Sequence, residues 1–547
     1  MTTETHTPPL RVHHLLSPWI AAQPDALALR DASVSLSYGE LGAQMDATAR
    51  RLAQAGVRAG DRVLIVGENC AALCVVFLAL SKLDAWTVAV NARLSAREID
   101  TFIAHAGARR VLYLCHVSPE ARGHAQRHGA SHLTGDAGQA GEVGELGEVA
   151  IGPLSESAQP EPCEADPAAQ VAAMVYTSGT TGAPKGVMLT HANLMFVAAA
   201  ARDLRRLGPR DVVYGVLPMA HVVGLSTQFL GAMCAGAALL LEPRFAPENA
   251  ARALQRDGVT VFTGVPALFA RLLEWARKNG HDGNNGKSDR GGVAIEAPAL
   301  RLITVAGSPL TPRLKAEVEQ AFGLPLHNGY GLTETGPTVA QTRLDAPRDD
   351  CAVGVLIPRV QAQVRVANAG DGVAGAGTGA SASADPGEVG ELWVRGPGVM
   401  KGYYRSPELT AAVIDAAGWF NTGDLARIDA DGALFISGRT KELIIRSGFN
   451  VYPLEVEQVL NAYPGVVQSA VVGREAGHNE EIVAFIETRE GIAIDDALLR
   501  AHLRAHLSPY KQPGEIRAMA ALPSAPNGKV LKGVLKTLAQ TPLHTAS

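Results

Sequence analysis

Tyr176-Thr177-Ser178-Gly179-Thr180-Thr181-Gly182-Ala183-Pro184-Lys185-Gly186 is the stretch on which the reading of this chain turns. Leading into it, Val171-Ala172-Ala173-Met174-Val175 is apolar and partly β-branched, the pattern of a buried strand. Glycines let the backbone turn tightly and bring its N–H groups against an anion. The Ser and Thr hydroxyls add donors, and Lys185 adds a positive charge. A strand feeding such a loop is a phosphate cradle and points to nucleotide chemistry. An ordinary Gly/Thr-rich surface turn is the competing reading, which the length and order of the run weigh against. The loop is not a Walker motif, because Lys185 is followed by Gly186 instead of a magnesium-binding Ser or Thr.

Working outward, Val63-Leu64-Ile65-Val66, a helical stretch over 72–83 and Thr87-Val88-Ala89-Val90 form a strand–helix–strand unit. The alternation recurs around 212–216, 260–263 and 302–305. It predicts an α/β fold, with a large N-terminal domain of layered, mostly parallel sheets and helices. A length of 547 residues exceeds one typical core, so at least two domains are expected. Residues 432–437 read as a strand, and after Gly438-Arg439-Thr440-Lys441 the pattern changes to short mixed elements. This places a boundary there, with residues 1–440 as one domain and 441–547 as a small α+β domain. The longest apolar stretch, 71–90, is interrupted by Lys82 and Asp84, so it reads as a core helix and a strand, not a membrane span.

Three Gly-rich or polar stretches, 116–167, 280–292 and 368–387, read as surface loops or insertions. The last contains Gly370, Gly372 and Gly375 in a GxGxxG spacing. No strand leads directly into it and no periodic helix follows, so it is not read as a dinucleotide site. The apolar fraction of 47% is that of a soluble globular protein, and a net charge of −5 gives no electrostatic reason to expect nucleic acid. The six cysteines are scattered without CxxC spacing, which predicts reduced buried thiols and no zinc cluster. The first ten residues are polar and lack a basic start followed by an apolar block; a cytoplasmic location is the expectation.

The opening stretch resembles the signature of the adenylate-forming (AMP-binding) superfamily, of the acyl-CoA synthetase and aryl-CoA ligase type. Further segments resemble that family in the expected order: Leu217-Pro218-Met219-Ala220-His221, Asn328-Gly329-Tyr330-Gly331-Leu332-Thr333-Glu334-Thr335, Trp419-Phe420-Asn421-Thr422-Gly423-Asp424, Gly438-Arg439-Thr440-Lys441-Glu442 and Asn527-Gly528-Lys529. Each alone is weak; their joint order spans nearly the whole chain. The resemblance implies ATP-dependent ligation of a carboxylic acid to CoA through an acyl-adenylate, releasing pyrophosphate and then AMP. It implies ATP, Mg2+ and coenzyme A as co-substrates and cofactor, and small molecules as partners with neither nucleic acid nor membrane span. It leaves a homodimer open.

The same resemblance assigns roles. Thr177, Ser178, Gly179, Thr180, Thr181, Gly182 and Lys185 would hold phosphates. Glu334 would hold magnesium, a hard cation that takes oxygen ligands, and Thr333 would lie at the α-phosphate. Gly307, Ser308, Pro309, Asn328, Gly329, Tyr330 and Gly331 would surround adenine, with Tyr330 stacked on it. Asp424 and Arg439 would meet the ribose; outside their motifs they would read as a turn residue and a surface ion-pair partner. Lys529 would bridge the attacking carboxylate and the α-phosphate, two anions that need a cation between them. His221 would sit beside the carboxylate being activated, although a lone His among apolar residues is more often a core residue. Lys441 would be a hinge that lets the C-terminal lid present first Lys529 and then Gly448 and Phe449, which line a pantetheine tunnel; Arg93 would meet CoA phosphates. His221, Val222, Val223, Phe229, Gly264, Ala306, Gly329 and Gly331 would line the acid pocket. They are small or apolar with no cation for a second carboxylate, so a hydrophobic fatty or aromatic acid is expected; Gly264 and Gly329 leave room for length and favour an acyl chain, while His221-Val222-Val223-Gly224 also resembles aryl-CoA ligases. The rivals are an adenylating enzyme that loads a separate carrier protein, a non-catalytic nucleotide-binding regulator, and a phosphoryl-transfer ATPase or kinase, which would release ADP.

Overall fold

Side chains alternate across short strands, and here that alternation separates two cores. The computed structural model describes residues 10–133, 146–177, 184–279, 293–366, 382–446, 449–476, 479–488, 492, 494–524 and 530–540. Val213, Val261 and Leu302 point to one side of a nine-stranded sheet, into the core shared with a second sheet. Their neighbours Tyr214, Phe262 and Ile303 point to the other side, against the helices Pro247–Arg256, Pro266–Lys278 and Pro312–Phe322. The nine strands run in the order Val355–Leu356, Thr338–Gln341, Leu326–Gly331, Leu302–Val305, Val261–Gly264, Val212–Gly215, Ala238–Leu241, Leu27–Arg30 and Ser35–Ser37. From Leu326–Gly331 to Leu27–Arg30 all neighbours are parallel.

An eight-stranded sheet is centred on Arg62–Gly67, flanked in parallel by Trp86–Asn91 and Arg110–Leu114. The helix Ala71–Lys82 joins the first two of these strands and is buried over Ala71–Ser81, as an all-round apolar helix between layers must be. Margins differ from centres. Val171–Thr177 and Lys185–Thr190 pair antiparallel because their link is too short for a crossover, which takes a dozen or more residues. A five-stranded sheet over 361–439 is antiparallel throughout.

The stretch 116–167 is not all loop: it holds the helix Pro119–Arg127, capped by Ser118, and the strand Val149–Ile151, which pairs with Arg110–Leu114. The helix is polar, and the strand is three residues long beside Gly- and Glu-rich sequence, so neither shows a readable period. Residues 280–292 and the GxGxxG glycines lie outside the described residues; of 368–387, the strand Ala382–Ser383 is described.

After residue 440 the chain forms a hairpin (Ile444–Arg446 and Phe449–Val451), a three-stranded sheet (Val466–Ala476, Asn479–Thr488 and Glu515–Met519) and the helices Pro453–Ala462, Asp496–His506 and Lys532–Gln540. Two hydrophobic clusters there contain only residues of this region. No helix among the described residues is long and apolar enough to cross a membrane.

Candidate functional site

The quoted hairpin reaches the site through its base. Thr177 and Lys185 are cross-strand partners where it opens; Ser178, Gly179, Thr180, Thr181 and Gly182 lie outside the described residues. Lys185–Thr190 runs into the helix His191–Leu204, whose first turn is closed by reciprocal Thr190 and Asn193 bonds of 3.1 and 2.9 Å. Asn193 Nδ2 also donates to the carbonyls of Pro397 and Val399 (2.7 and 3.0 Å), fixing the segment before the strand Gly402–Tyr403. That strand pairs with Val187 and Met188 and brings Tyr403 beside the predicted phosphate groups. The Tyr403 hydroxyl donates to Glu334 Oε1 at 2.8 Å, and Lys185 Nζ lies 5.0 Å from the centre of its ring. Burial, and after it the Glu334 carboxylate, push the Tyr403 hydroxyl pKa well up, so it remains a donor. Tyr403 joins two predicted site residues without having been read as one; Gly402-Tyr403 offers no spacing that marks it in a single sequence.

A second cluster forms where Asp424 and Arg439 face each other on antiparallel strands. Arg439 Nε is 3.0 Å from Asp424 Oδ1, and the Tyr330 hydroxyl donates to Asp424 Oδ2 at 2.5 Å. Asp424 is 3% exposed, so its charge is held by these bonds more than by water. Burial disfavours the charge on Arg439, but Asp424 together with Tyr330, Glu442 and Glu334 outweighs it and the guanidinium pKa rises. Burial, then Asp424, raises the Tyr330 hydroxyl pKa well above its ordinary value.

Tyr330, Asp424 and Arg439 share a cleft of about 2150 Å³ with Gly307, Ser308, Pro309, Asn328, Gly329 and Gly331. Gly307 turns at φ +88°, which suits glycine. Asn328 spends its amide on the carbonyls of Cys351 and Ala352, so it braces the wall. From Gly331 the chain runs on into the turn Thr333–Thr335 that carries Thr333 and Glu334.

The acid-pocket residues divide. His221 opens the π-helix region Val223–Leu230 and has an imidazole pKa lowered by burial, so it is neutral near pH 7. Val222 is buried, and Val223, Ala306 and Gly329 are half-buried. Phe229 turns into the core, edge-on to Phe77 at 5.9 Å. Gly264 leaves no room for length: a Cβ there would meet the Phe269 ring at 2.9 Å, because the residue faces the helix Pro266–Lys278. Gly331 is needed for close approach within its hairpin, where a Cβ would fall 1.6 Å from the Pro337 carbonyl oxygen. At Gly329 the nearest atom to an added Cβ is 3.5 Å away.

The remaining residues lie on the C-terminal side or apart. Lys441 occupies the turn Thr440–Glu442 directly after the strand bearing Arg439. Lys529 and Gly448 lie outside the described residues, but Val530 and Ser524 pair across the 525–529 segment and line the same cleft as Tyr330 and Asp424. Lys532, unnoticed in the sequence, anchors the helix that follows through Glu442 (2.7 Å) and Glu457 (2.8 Å). Phe449 is 53% exposed and stacks on Tyr510 at 4.6 Å. Arg93 Nε lies 3.4 Å from Glu68 Oε1, a carboxylate also held by Arg244.

Comparison with known proteins fits this arrangement. The model of the AMP-binding enzyme family matches residues 16–404, and that of the AMP-binding enzyme C-terminal domain matches residues 455–529. A feruloyl-CoA synthase of Amycolatopsis sp is 32% identical over 516 residues, covering 94% of this chain and 96% of that protein. A 2-succinylbenzoate–CoA ligase of Geobacillus kaustophilus is 32% identical over 518 residues, covering 94% and 95%. The structure of O-succinylbenzoate coenzyme A synthetase (MenE) from Bacillus subtilis, in complex with ATP and magnesium ion, aligns with a TM-score of 0.75 at 25% identity, over 96% of this chain and 99% of that one.

Proposed function

The chain belongs to the AMP-binding enzyme family, and on that footing we propose that it is an ATP-dependent carboxylate–CoA ligase. The observation that carries the reading is the Tyr330–Asp424–Arg439 cluster. A buried carboxylate gripped by a phenol and a guanidinium, on the wall of a glycine-lined cleft, suits the two hydroxyls of a ribose. Thr177, Lys185 and residues 178–182 serve the phosphates. Among the described residues no group of three His, Cys, Asp or Glu side chains could hold a metal alone, which fits magnesium, an ion that takes one or two carboxylates and completes its shell with phosphate and water. Glu334 would hold it, and the ion would neutralise charge on the departing pyrophosphate.

In the first half-reaction a carboxylate oxygen of the acid attacks the α-phosphorus, and the bond to pyrophosphate breaks. Lys529 bridges the two anions as they meet. In the second, the CoA sulfur attacks the acyl carbonyl and AMP leaves. The residues from 441 to 547 act as a lid turning at Lys441, bringing Lys529 for the first half and Gly448 with Phe449 for the second, while Arg93 meets CoA phosphates. Support for a lid comes from its separate cores and from Val530 lining the nucleotide cleft. His221, neutral, sits beside the reacting carboxylate. The acid lies against Val223, Ala306 and Gly329. With Gly264 filled by Phe269, a ring or a short chain fits better than a long fatty chain, and the relatives named for feruloyl and succinylbenzoate substrates support a ring.

The test is a panel of aromatic and short aliphatic acids with ATP, Mg2+ and CoA, reading AMP and acyl-CoA. ADP would indicate a kinase or ATPase. AMP with acylation of a carrier's phosphopantetheine and none of CoA would indicate a carrier-loading enzyme. No turnover with any acid would leave a nucleotide-binding regulator.

A further inference from the structure

The turn that delivers His221 belongs to the nine-stranded sheet, yet it is held by a side chain from the eight-stranded one. Asn69 follows the strand Arg62–Gly67 and is 2% exposed. Its Nδ2 donates to the carbonyls of Gly215 (3.0 Å) and Leu217 (2.9 Å), and its Oδ1 accepts from the Met219 N–H (2.8 Å). A side-chain amide has two N–H donors and one carbonyl acceptor, so all three are spent on the segment 215–219. The Gly215 carbonyl also accepts from the Glu242 N–H at 3.2 Å, whereas the Leu217 carbonyl and the Met219 N–H depend on Asn69. Leu217 and Met219 are buried, where backbone polar groups need a partner. Gln228, in the π-helix region Val223–Leu230, grips the same segment: its Oε1 accepts from the Leu217 N–H at 3.2 Å and its Nε2 donates to the Tyr214 carbonyl at 3.0 Å.

Downstream the chain has little freedom left. The His221 N–H donates to the Pro218 carbonyl at 3.0 Å, and the His221 carbonyl accepts from the Leu225 N–H at 3.1 Å. His221 therefore closes a turn on Pro218 and leads straight into the π-helix region. A Cβ at Gly224 would lie 2.4 Å from the carbonyl oxygens of both Leu217 and Pro218, so glycine is required for the helix to pack on this turn. Residues 217–224 thus form one tight unit, and Asn69 fastens that unit to the strand Arg62–Gly67. Beside Asn69 lies a cavity of about 10 Å³, walled by Pro218 and Ala220 of the turn and by Glu68 and Asn91.

We infer that Asn69 is a positioning residue for activation of the acid: through the turn 217–220 it sets where the His221 imidazole stands relative to the reacting carboxylate. The inference rests on the ligase reading, in which His221 sits beside that carboxylate, and adds a residue to it. Asn69 works on backbone groups and not on the acid. Burial keeps the imidazole neutral, so charge does not draw it into place and its backbone decides where it stands. A misplacement of about 1 Å at a reacting centre can cost on the order of a hundredfold in rate. Three short bonds from a rigid strand are what such precision requires.

The test is a double-mutant cycle on the full chain with ATP, Mg2+, CoA and the best acid of the panel. Asn69→Ser is too short to reach the three groups, and the space it opens next to the existing cavity admits water to meet them, so the fold should stand. We expect kcat/KM for the acid to fall by about tenfold to a hundredfold with the KM for ATP unchanged. In a His221→Ala background the same substitution should cost less than about twofold, because a residue that acts through His221 then has nothing left to place. Should Asn69→Ser fail to fold, Asn69→Thr, which fills more of the space, runs the same cycle. Equal losses with and without His221, or a KM for ATP that rises in step with the KM for the acid, would make Asn69 purely structural and overturn the inference. A His221→Ala enzyme with wild-type acid kinetics would overturn it too and leave the ligase standing. No AMP from any acid would overturn both the inference and the ligase reading.

Discussion

The two ends of the candidate site hold their charges differently. At the nucleotide end the charged groups already have partners: Asp424 holds Arg439 at 3.0 Å and Tyr330 at 2.5 Å, and Glu334 accepts from Tyr403 at 2.8 Å. At the acid end Val223, Ala306 and Gly329 are uncharged, and burial keeps the His221 imidazole neutral near pH 7. The first arrangement is preorganised: strand pairing and short bonds fix the groups before a ligand arrives. The second can select only by shape and apolar contact. Damage at the nucleotide end should therefore lower turnover alike for every acid, whereas damage at the acid end should change which acid is used.

The largest effect is expected from Lys529→Ala, which removes the cation bridging two anions. Adenylation should fall by on the order of a thousandfold, while conversion of supplied acyl-AMP to acyl-CoA survives. Equal loss in both half-reactions would remove Lys529 from the role given to it. Next comes Asp424→Ala, which strips the ribose cluster of its acceptor and leaves Arg439 without its charge partner. We expect about a hundredfold loss in kcat/KM for ATP, the same for each acid tested. A loss that varied with the acid would dissolve the contrast between the two ends. Lys441→Pro, by stiffening the junction, should slow the thiol half-reaction about tenfold and adenylation less. Unchanged overall turnover would argue against a hinge there.

Legibility in the sequence followed how local the determining physics is. Parallel strands such as Leu302–Val305 and the helix Ala71–Lys82 were readable because their apolar runs are continuous and bounded. The nucleotide-end residues sit in contiguous segments that a sequence displays, and the structure brings Tyr330 and Arg439 onto the one carboxylate of Asp424. The acid end was not. Gly264 looks like room in one dimension, but strand parity turns it toward Phe269, and Phe229 faces Phe77. Tyr403 is likewise joined to Glu334 and Lys185 only by the pairing of Gly402–Tyr403 with the hairpin strand.

That last residue gives the smallest and most selective prediction. The Tyr403 hydroxyl stays protonated because burial and Glu334 both raise its pKa, so at neutral pH it donates to the carboxylate assigned to magnesium. Tyr403→Phe deletes this bond yet keeps the ring that lies 5.0 Å from Lys185 Nζ. A hydrogen bond to a charged group contributes about 1.5–3 kcal/mol, so the Mg2+ concentration for half-maximal adenylation should rise about tenfold. The preference among acids and the KM for CoA should not move. Tyr403→Leu, which also removes the ring, should raise the KM for ATP as well, since Lys185 then loses its aromatic support. A Tyr403→Phe enzyme with an altered acid preference and an unaltered magnesium response would mean that the two ends are coupled through Glu334, and the division of labour between them would fail at the point where it is best defined.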